Sequence, residues 1–220
     1  MRLRQGTAAV IALCLLAGLA GAAHGAGEPE FGCRKVHRSK AAVNPAGRGR
    51  APILIGDSTV LLPIPNLAQA GISVNGRGCR GFRESLNVAA KLRAKHHLPH
   101  LVLMNGYANG GAGAKLIADA LSVIGKSHAL GLVTEYNADT GRPPAPDTNV
   151  LFRAARQYPH RIFVLDWVHY SRAHHAVEPA PGAWFLPDLF HPNYTGAAAY
   201  ATFLARALPL AKSGHFPPLP

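Results

Sequence analysis

Short apolar runs alternate with helical patterns along most of the chain. The runs are rich in leucine and β-branched residues and end at polar or glycine residues, which is typical of buried strands. Five strand candidates are present: Pro52–Ile55, Ile72–Asn75, Leu101–Met104, Leu130–Thr134 and Ile162–Asp166. Helices are predicted at Phe82–Lys95, Ala114–Ile124, Asn149–Gln157 and Tyr194–Leu208. We also expect a shorter helix within Leu61–Ala70, broken by Pro63 and Pro65.

Strands that alternate with helices favour a parallel sheet that is covered on both faces. Right-handed crossovers between such strands produce a doubly wound, three-layer α/β sandwich, here with roughly five parallel strands. Ligands bind at the carboxyl ends of the strands in this architecture. The residues that follow each strand are therefore the first candidates for a functional site.

Polar residues with suitable chemistry do follow these strands. Gly56-Asp57-Ser58 follows the first strand, and a glycine-rich turn that contains Gly78 follows the second. The segment Asn105–Gly110 follows the third strand. Asp188-Leu189-Phe190-His191 lies in a proline-rich loop after the fifth strand, just ahead of a helix. Because these groups share one edge of the predicted sheet, we expect them to lie close together.

Ser58, His191 and Asp188 are the residue types of a nucleophile, a base and the group that orients the base. Serine is a poor nucleophile unless a base takes its proton, and a histidine base works best when a carboxylate selects its tautomer. The pattern predicts a serine hydrolase. Taken singly, Ser58 could cap a helix, and we expect Asp57 to hydrogen-bond the turn.

The N-terminal residues are typical of an export signal. Met1–Arg4 is basic, Ala8–Leu19 is apolar, and small residues precede Ala26. We expect a cleaved signal peptide over residues 1–25, a basic arm over 26–50 and one catalytic domain over 51–220. The product would be secreted or extracytoplasmic, with no stable membrane span after cleavage; an uncleaved N-terminal anchor is the alternative.

Two cysteines, Cys33 and Cys79, remain outside the predicted signal. An even pair in an exported protein favours a disulfide, because the oxidising compartment permits one. The bridge would join the basic arm to the loop after the second strand and would stabilise the fold by about 4 kcal/mol in the chain-entropy model. Two free thiols are the alternative interpretation.

The composition indicates the class of protein and gives its net charge. The chain has 220 residues, of which 48% are hydrophobic and 15% charged, so we expect one globular domain. Its formal net charge of +12 could attract anionic partners such as acidic cell-envelope polymers. The basic residues are scattered and show no zinc-finger spacing, which argues against nucleic-acid binding. The pairs His96-His97 and His174-His175 are expected to be surface residues rather than metal ligands.

This ordered set of motifs resembles the SGNH (GDSL-type) hydrolases. The resemblance covers about Pro52 to Leu208 and is carried by Gly56-Asp57-Ser58, by a glycine after the second strand and by an asparagine after the third. It is completed by Asp188-Leu189-Phe190-His191-Pro192, which precedes a helix bearing Gly196. It implies a flavodoxin-like fold.

The resemblance also implies roles for individual residues. Ser58 would be the nucleophile, His191 the general base and acid, and Asp188 the orienter. The oxyanion hole would comprise the backbone N–H groups of Ser58 and Gly78 and the side-chain amide of Asn109. No metal or organic cofactor would be required.

Two positions depart from the family pattern. Tyr107 stands where the third block usually has glycine, so Asn105 is a rival to Asn109. The donor glycine could also be Gly76 or Gly81.

Three functions fit these residues. The favoured one is an exported esterase, expected to be a monomer, that hydrolyses short-chain or O-acetyl esters of a small molecule or glycan. An acyltransferase acting on envelope glycans would use the same triad. A catalytically inactive binding protein on this scaffold is disfavoured because the triad is intact.

Overall fold

The computed structural model describes residues 32–45, 49–142 and 145–209; the expected signal peptide over residues 1–25 lies outside these ranges. Six strands form one sheet in the order β1-β3-β2-β4-β5-β6. They are β1 (Val36–Ser39), β2 (Ile53–Gly56), β3 (Ser73–Arg77), β4 (Leu101–Met104), β5 (Ala129–Val133) and β6 (Ile162–Leu165). Strands β2 to β6 run parallel, which confirms the predicted doubly wound sheet, and β1 pairs antiparallel with β3.

Helices cover both faces of the sheet. They are α1 (Ile64–Gln69), α2 (Phe82–Ala94), α3 (Ala114–Ile124), α4 (Thr148–Gln157), α5 (Trp167–Ser171) and α6 (Tyr194–Ala205). Helices α2, α3 and α4 pack on one face, where Leu151 and Val102 are buried in one apolar cluster. Helices α1, α5 and α6 pack on the other face, where Phe203 and Leu103 are buried in a second cluster. Full burial of each such side chain contributes about 1.5–3 kcal/mol.

Strand β1 is the main departure from the predicted fold. The sequence Val36–Ser39 is short and basic, and it was expected to belong to an arm outside the sheet. It instead pairs with β3 in the register Val36 to Arg77 and Ser39 to Val74. The sheet therefore has six strands rather than about five, and its outer edge on this side is a positively charged strand.

The proline-bearing segment after β2 also differs in detail from the prediction. A single 3-10 turn, Ser58–Val60, precedes α1, and Pro63 occupies the N-cap of that helix. Pro65 lies in its first turn, where a missing N–H costs nothing because it has no intrahelical partner. The prolines thus set where α1 begins. No helix in the described part of the chain is long and apolar enough to cross a membrane.

Candidate active site

The turn after β2 presents Ser58. Asp57 caps the 3-10 turn, because its Oδ1 accepts hydrogen bonds from the backbone N–H of Thr59 at 2.9 Å and from the Thr59 hydroxyl at 2.7 Å. The structural role expected for Asp57 is confirmed. Gly56 permits the turn, since a Cβ there would lie 2.1 Å from Oδ1 of Asn105. Ser58 is largely buried at the start of this turn, with 7% of its surface exposed.

The loop that precedes α6 presents the histidine and its carboxylate. Oδ1 of Asp188 accepts the backbone N–H groups of Phe190 and His191, each at 2.9 Å. Its other oxygen, Oδ2, lies 2.6 Å from Nδ1 of His191. Burial alone would raise the pKa of Asp188, but the hydrogen bonds from His191 and Phe190 outweigh it and lower the pKa to about 2. Asp188 is therefore an anion at neutral pH, and the Nδ1 that faces it carries a proton.

The serine turn and the histidine loop meet, although 133 residues separate their side chains in the sequence. Nε2 of His191 lies 2.7 Å from Oγ of Ser58. With the proton of a neutral imidazole on Nδ1, Nε2 is the nitrogen that can accept the serine hydroxyl proton. The structure brings Ser58, His191 and Asp188 together in the order that a hydroxyl nucleophile requires.

The loops after β3 and β4 contact each other. A Cβ on Gly81 would lie 3.0 Å from the backbone oxygen of Asn109. The three candidate glycines differ in position: Gly76 lies within β3, and the N–H of Gly81 donates to Oε2 of Glu84 at 3.2 Å. Gly78 lies in the turn that follows β3, which leaves it as the candidate backbone donor among the three.

The two rival asparagines have different surroundings. Asn105 is 1% exposed; its Oδ1 accepts the backbone N–H of Asp57 at 3.2 Å, and its Nδ2 donates to the Thr59 hydroxyl at 2.7 Å. These bonds place Asn105 under the serine turn as a structural support. Asn109 is half-buried, and its Nδ2 donates to Oδ2 of Asp57 at 2.7 Å. An amide nitrogen carries two hydrogens, so this bond uses one donor and keeps the other.

Glu135 is a site residue that the sequence motifs did not identify. It follows β5, it is 3% exposed, and its Oε2 accepts the backbone N–H groups of Gly106 at 3.0 Å and Ala108 at 3.1 Å. Burial, together with the charge of the neighbouring Asp57, raises the pKa of Glu135 well above its ordinary value. We therefore expect a neutral carboxylic acid that supports the loop bearing Asn109. In the sequence, the feature that could have identified Glu135 is its position directly after the predicted strand Leu130–Thr134.

Arg80 is a second buried support. Only 2% of it is exposed. Its Nη1 donates to the backbone oxygen of Gly56 at 3.0 Å and to that of Asn75, and its Nη2 donates to Oδ1 of Asn75 at 2.9 Å. Burial lowers its pKa to about 10. Arg77 lies closer to the surface and pairs with Glu84 at 2.5 Å.

Stacked aromatic rings support the loop that bears His191. His175 stacks on Tyr136 at 3.9 Å between ring centroids, and its Nε2 lies 3.0 Å from the backbone oxygen of Leu189. His174 stacks on Trp184 at 3.8 Å. Both residues of this pair are half-buried, so they lie at the surface without being fully exposed, whereas His96 and His97 are exposed. Within the described residues, no group of three or more His, Cys, Asp or Glu side chains could hold a metal ion.

Cys33 and Cys79 form a disulfide, as predicted. Cys79 directly follows Gly78 and has a positive φ of 54°. Cys33 lies shortly before β1. The bridge therefore fastens the edge strand to the turn that carries the candidate donor glycine.

Solved structures with the same fold exist. The C-terminal catalytic domain of Streptococcus pneumoniae peptidoglycan O-acetyltransferase A, bearing a methylsulfonyl adduct, matches with a TM-score of 0.57 and 24% identity over 74% of this chain and 94% of that one. A GDSL-like lipase from Bacteroides thetaiotaomicron matches with a TM-score of 0.53 and 14% identity, over 73% of this chain and 88% of that one. No protein-family model and no curated protein matches the chain.

Proposed function

We propose that this chain, which has the fold of the SGNH (GDSL-type) hydrolases, is a serine esterase that acts on acyl esters. The observation that carries the proposal is the chain of contacts from Ser58 Oγ through the His191 ring to Asp188, at 2.7 Å and 2.6 Å. A serine beside a histidine that is itself oriented by a carboxylate is the arrangement of an activated nucleophile. The intact contacts also count against an inactive binding protein.

The reaction follows from these groups. Ser58 Oγ attacks the acyl carbonyl carbon while Nε2 of His191 takes the hydroxyl proton, and Asp188 stabilises the imidazolium that forms. The backbone N–H groups of Ser58 and Gly78 and the second amide hydrogen of Asn109 would bind the oxyanion. The imidazolium then protonates the leaving alcohol. Water, activated by the same histidine, releases the acyl group and restores Ser58.

Two features favour a glycan as the reaction partner, either O-acetylated, as the acyl donor, or with a free hydroxyl, as the acyl acceptor. One of the similar structures is named as a peptidoglycan O-acetyltransferase. The net charge of +12 favours anionic polymers of the cell envelope. The same neighbour makes acyl transfer to a sugar hydroxyl the second candidate function, since the two reactions differ only in whether water or an alcohol attacks the acyl-enzyme.

We also propose that the protein is exported. The N-terminal pattern of basic, apolar and small residues supports this, as does the disulfide between Cys33 and Cys79, since disulfides persist in oxidising compartments.

The test is active-site labelling of the purified protein with a fluorophosphonate, followed by mapping of the labelled peptide. We expect a single adduct on Ser58, and we expect Ser58→Ala to abolish both labelling and p-nitrophenyl acetate hydrolysis while the thermal midpoint is nearly unchanged. Ser85→Ala is a matched control, because Ser85 is also buried but lies in α2. Labelling at another serine would refute the assignment. Product analysis with added glycan acceptor separates hydrolysis from transfer.

A further inference from the structure

A basic groove runs along the edge of the sheet, between β1 and α2. One part of it has a volume of about 560 Å³ and is lined by five arginine and lysine residues: Arg38, Arg77, Arg80, Lys91 and Lys95. A second part of about 710 Å³ shares Arg38 and adds Lys40 and Arg50. Among these lining residues Glu84 is the one acid, and it is already paired with Arg77. We call these two parts together the basic groove.

The cations of the basic groove repel one another. Lys91 lies in the last turn of α2 and Lys95 is its C-cap residue four positions later, so this end of the helix carries two like charges. Arg38, Lys91 and Lys95 are exposed. After burial, the charges of Arg77 and Arg38 are among the causes that lower the pKa of Arg80. An anion bound in the groove would relieve this repulsion.

The shape of the basic groove indicates an extended ligand. Helix α2 has 13 residues and is therefore about 20 Å long. Glu84, in the first turn, pairs with Arg77, whereas Lys91 lies in the last turn and Lys95 caps the C-terminus, towards His97. A single phosphate would contact one or two of the exposed cations Arg38, Lys91 and Lys95, whereas a linear polymer with repeated negative charges would contact all three.

The lining of the groove distinguishes between kinds of polyanion. Its residues include the exposed amide side chain of Asn87, which can hydrogen-bond hydroxyl groups, and none of its described lining residues is Phe, Tyr or Trp. Non-specific binding of single-stranded nucleic acid depends on such aromatic stacking. Insertion into a membrane surface uses exposed apolar side chains, and the described lining residues offer no exposed large hydrophobic one.

From these observations we propose that the basic groove binds a linear anionic glycan, a polysaccharide with carboxylate or phosphate groups along its length. The groove begins at Arg77 and Arg80, beside the carboxyl end of β3, at the edge of the sheet where Ser58 lies. This binding site is separate from the catalytic residues and does not depend on the proposed esterase activity.

The test uses immobilised polygalacturonate, a polymer of uronic acid, with neutral dextran as the comparison. We expect the wild-type chain to bind polygalacturonate but not dextran, with a Kd that rises as salt is added. The triple variant Arg38→Gln, Lys91→Gln, Lys95→Gln should weaken binding by roughly tenfold or more, because it removes three of the facing charges. The Ser58→Ala protein should bind like wild type, which separates this result from the outcome for the esterase.

A matched control removes three exposed positive charges elsewhere: Lys126→Gln, Arg153→Gln, Arg156→Gln. We expect the Kd of this variant to change less than about threefold, and thermal unfolding should show both variants folded. Equal losses in the two triple variants would overturn the proposal, because net charge alone would then explain binding. Tighter binding of a single-stranded DNA oligomer or of phosphatidylglycerol vesicles than of polygalacturonate would overturn it in favour of nucleic acid or a membrane. Failure to bind polygalacturonate at low salt would also overturn it.

Discussion

The side-chain amide of Asn109 donates a hydrogen bond to Oδ2 of Asp57, the residue immediately before Ser58, at 2.7 Å. One carboxylate thereby orients two parts of the candidate site, because its other oxygen caps the serine turn at the N–H of Thr59. The position of Asn109 relative to Ser58 is therefore set in part by a shared partner, Asp57.

Replacement of Asn109 by alanine should affect catalysis much more than folding. We expect kcat to fall by about 10²–10³, because one oxyanion donor is lost, while the thermal midpoint changes little. Asn105→Ala should mainly affect stability. We expect it to lower the free energy of unfolding by roughly 2 kcal/mol or more, because the buried N–H of Asp57 loses its acceptor. Ester hydrolysis and urea unfolding of both variants measure the contrast. A catalytic defect confined to folded Asn105→Ala would assign the donor to Asn105.

The lowered pKa of Asp188 predicts a pH dependence of stability. In the unfolded chain an aspartate has a pKa of about 3.9, whereas in the folded chain that of Asp188 is about 2. Its contribution to the free energy of unfolding is therefore complete above about pH 4 and is lost as the pH falls towards 2. Asp188→Asn retains an acceptor for the loop N–H groups but cannot titrate. The stability difference between wild type and Asp188→Asn should shrink across this window in urea titrations, and a constant difference would contradict the prediction.

The raised pKa of Glu135 predicts that its contribution to the free energy of unfolding falls as the pH rises, opposite to that of Asp188. The unfolded chain releases this proton near pH 4.3, whereas the folded chain keeps it to a higher pH, so Glu135 destabilises the fold as the pH rises through that interval. Glu135→Gln mimics the neutral acid and should be progressively more stable than wild type from mildly acidic to alkaline pH, with activity retained. Glu135→Ala should cost about 2–4 kcal/mol, since the N–H groups of Gly106 and Ala108 lose their acceptor. A pH-independent difference for Glu135→Gln would show that Glu135 is ionised.

Gly141 is predicted to control the position of the histidine loop. It has a positive φ of 62°, and a Cβ there would lie 2.6 Å from the backbone oxygen of Asp188 and 2.6 Å from Cβ of Leu189. Gly141→Ala should therefore displace the Asp188 loop and lower kcat/KM by about tenfold or more. Gly113→Ala is the control, because a Cβ at Gly113 meets nothing within 4 Å. Equal esterase rates for the two variants would show that the loop accommodates the change.

The buried parts of this fold were predictable because buried elements have characteristic patterns of apolar residues in the sequence. Strand β4 is apolar at all four positions, and it lies where the pattern predicted it. The edge strand β1 was missed because Val36–Ser39 has no apolar face, and its pairing with β3 is a tertiary interaction. Asn105 and Asn109 follow the same strand, so spacing alone could not separate them. Their different burial and hydrogen-bond partners distinguish them in the structure.

The disulfide between Cys33 and Cys79 has a consequence for where activity could arise in the cell. One covalent bond fastens both the edge strand that lines the basic groove and the turn that carries Gly78. A newly made chain with reduced thiols holds these parts by non-covalent contacts alone. We expect such a chain to be a poor catalyst, so that esters in the compartment of synthesis are spared. Oxidation would then act as a maturation step that couples full activity to arrival in an oxidising environment.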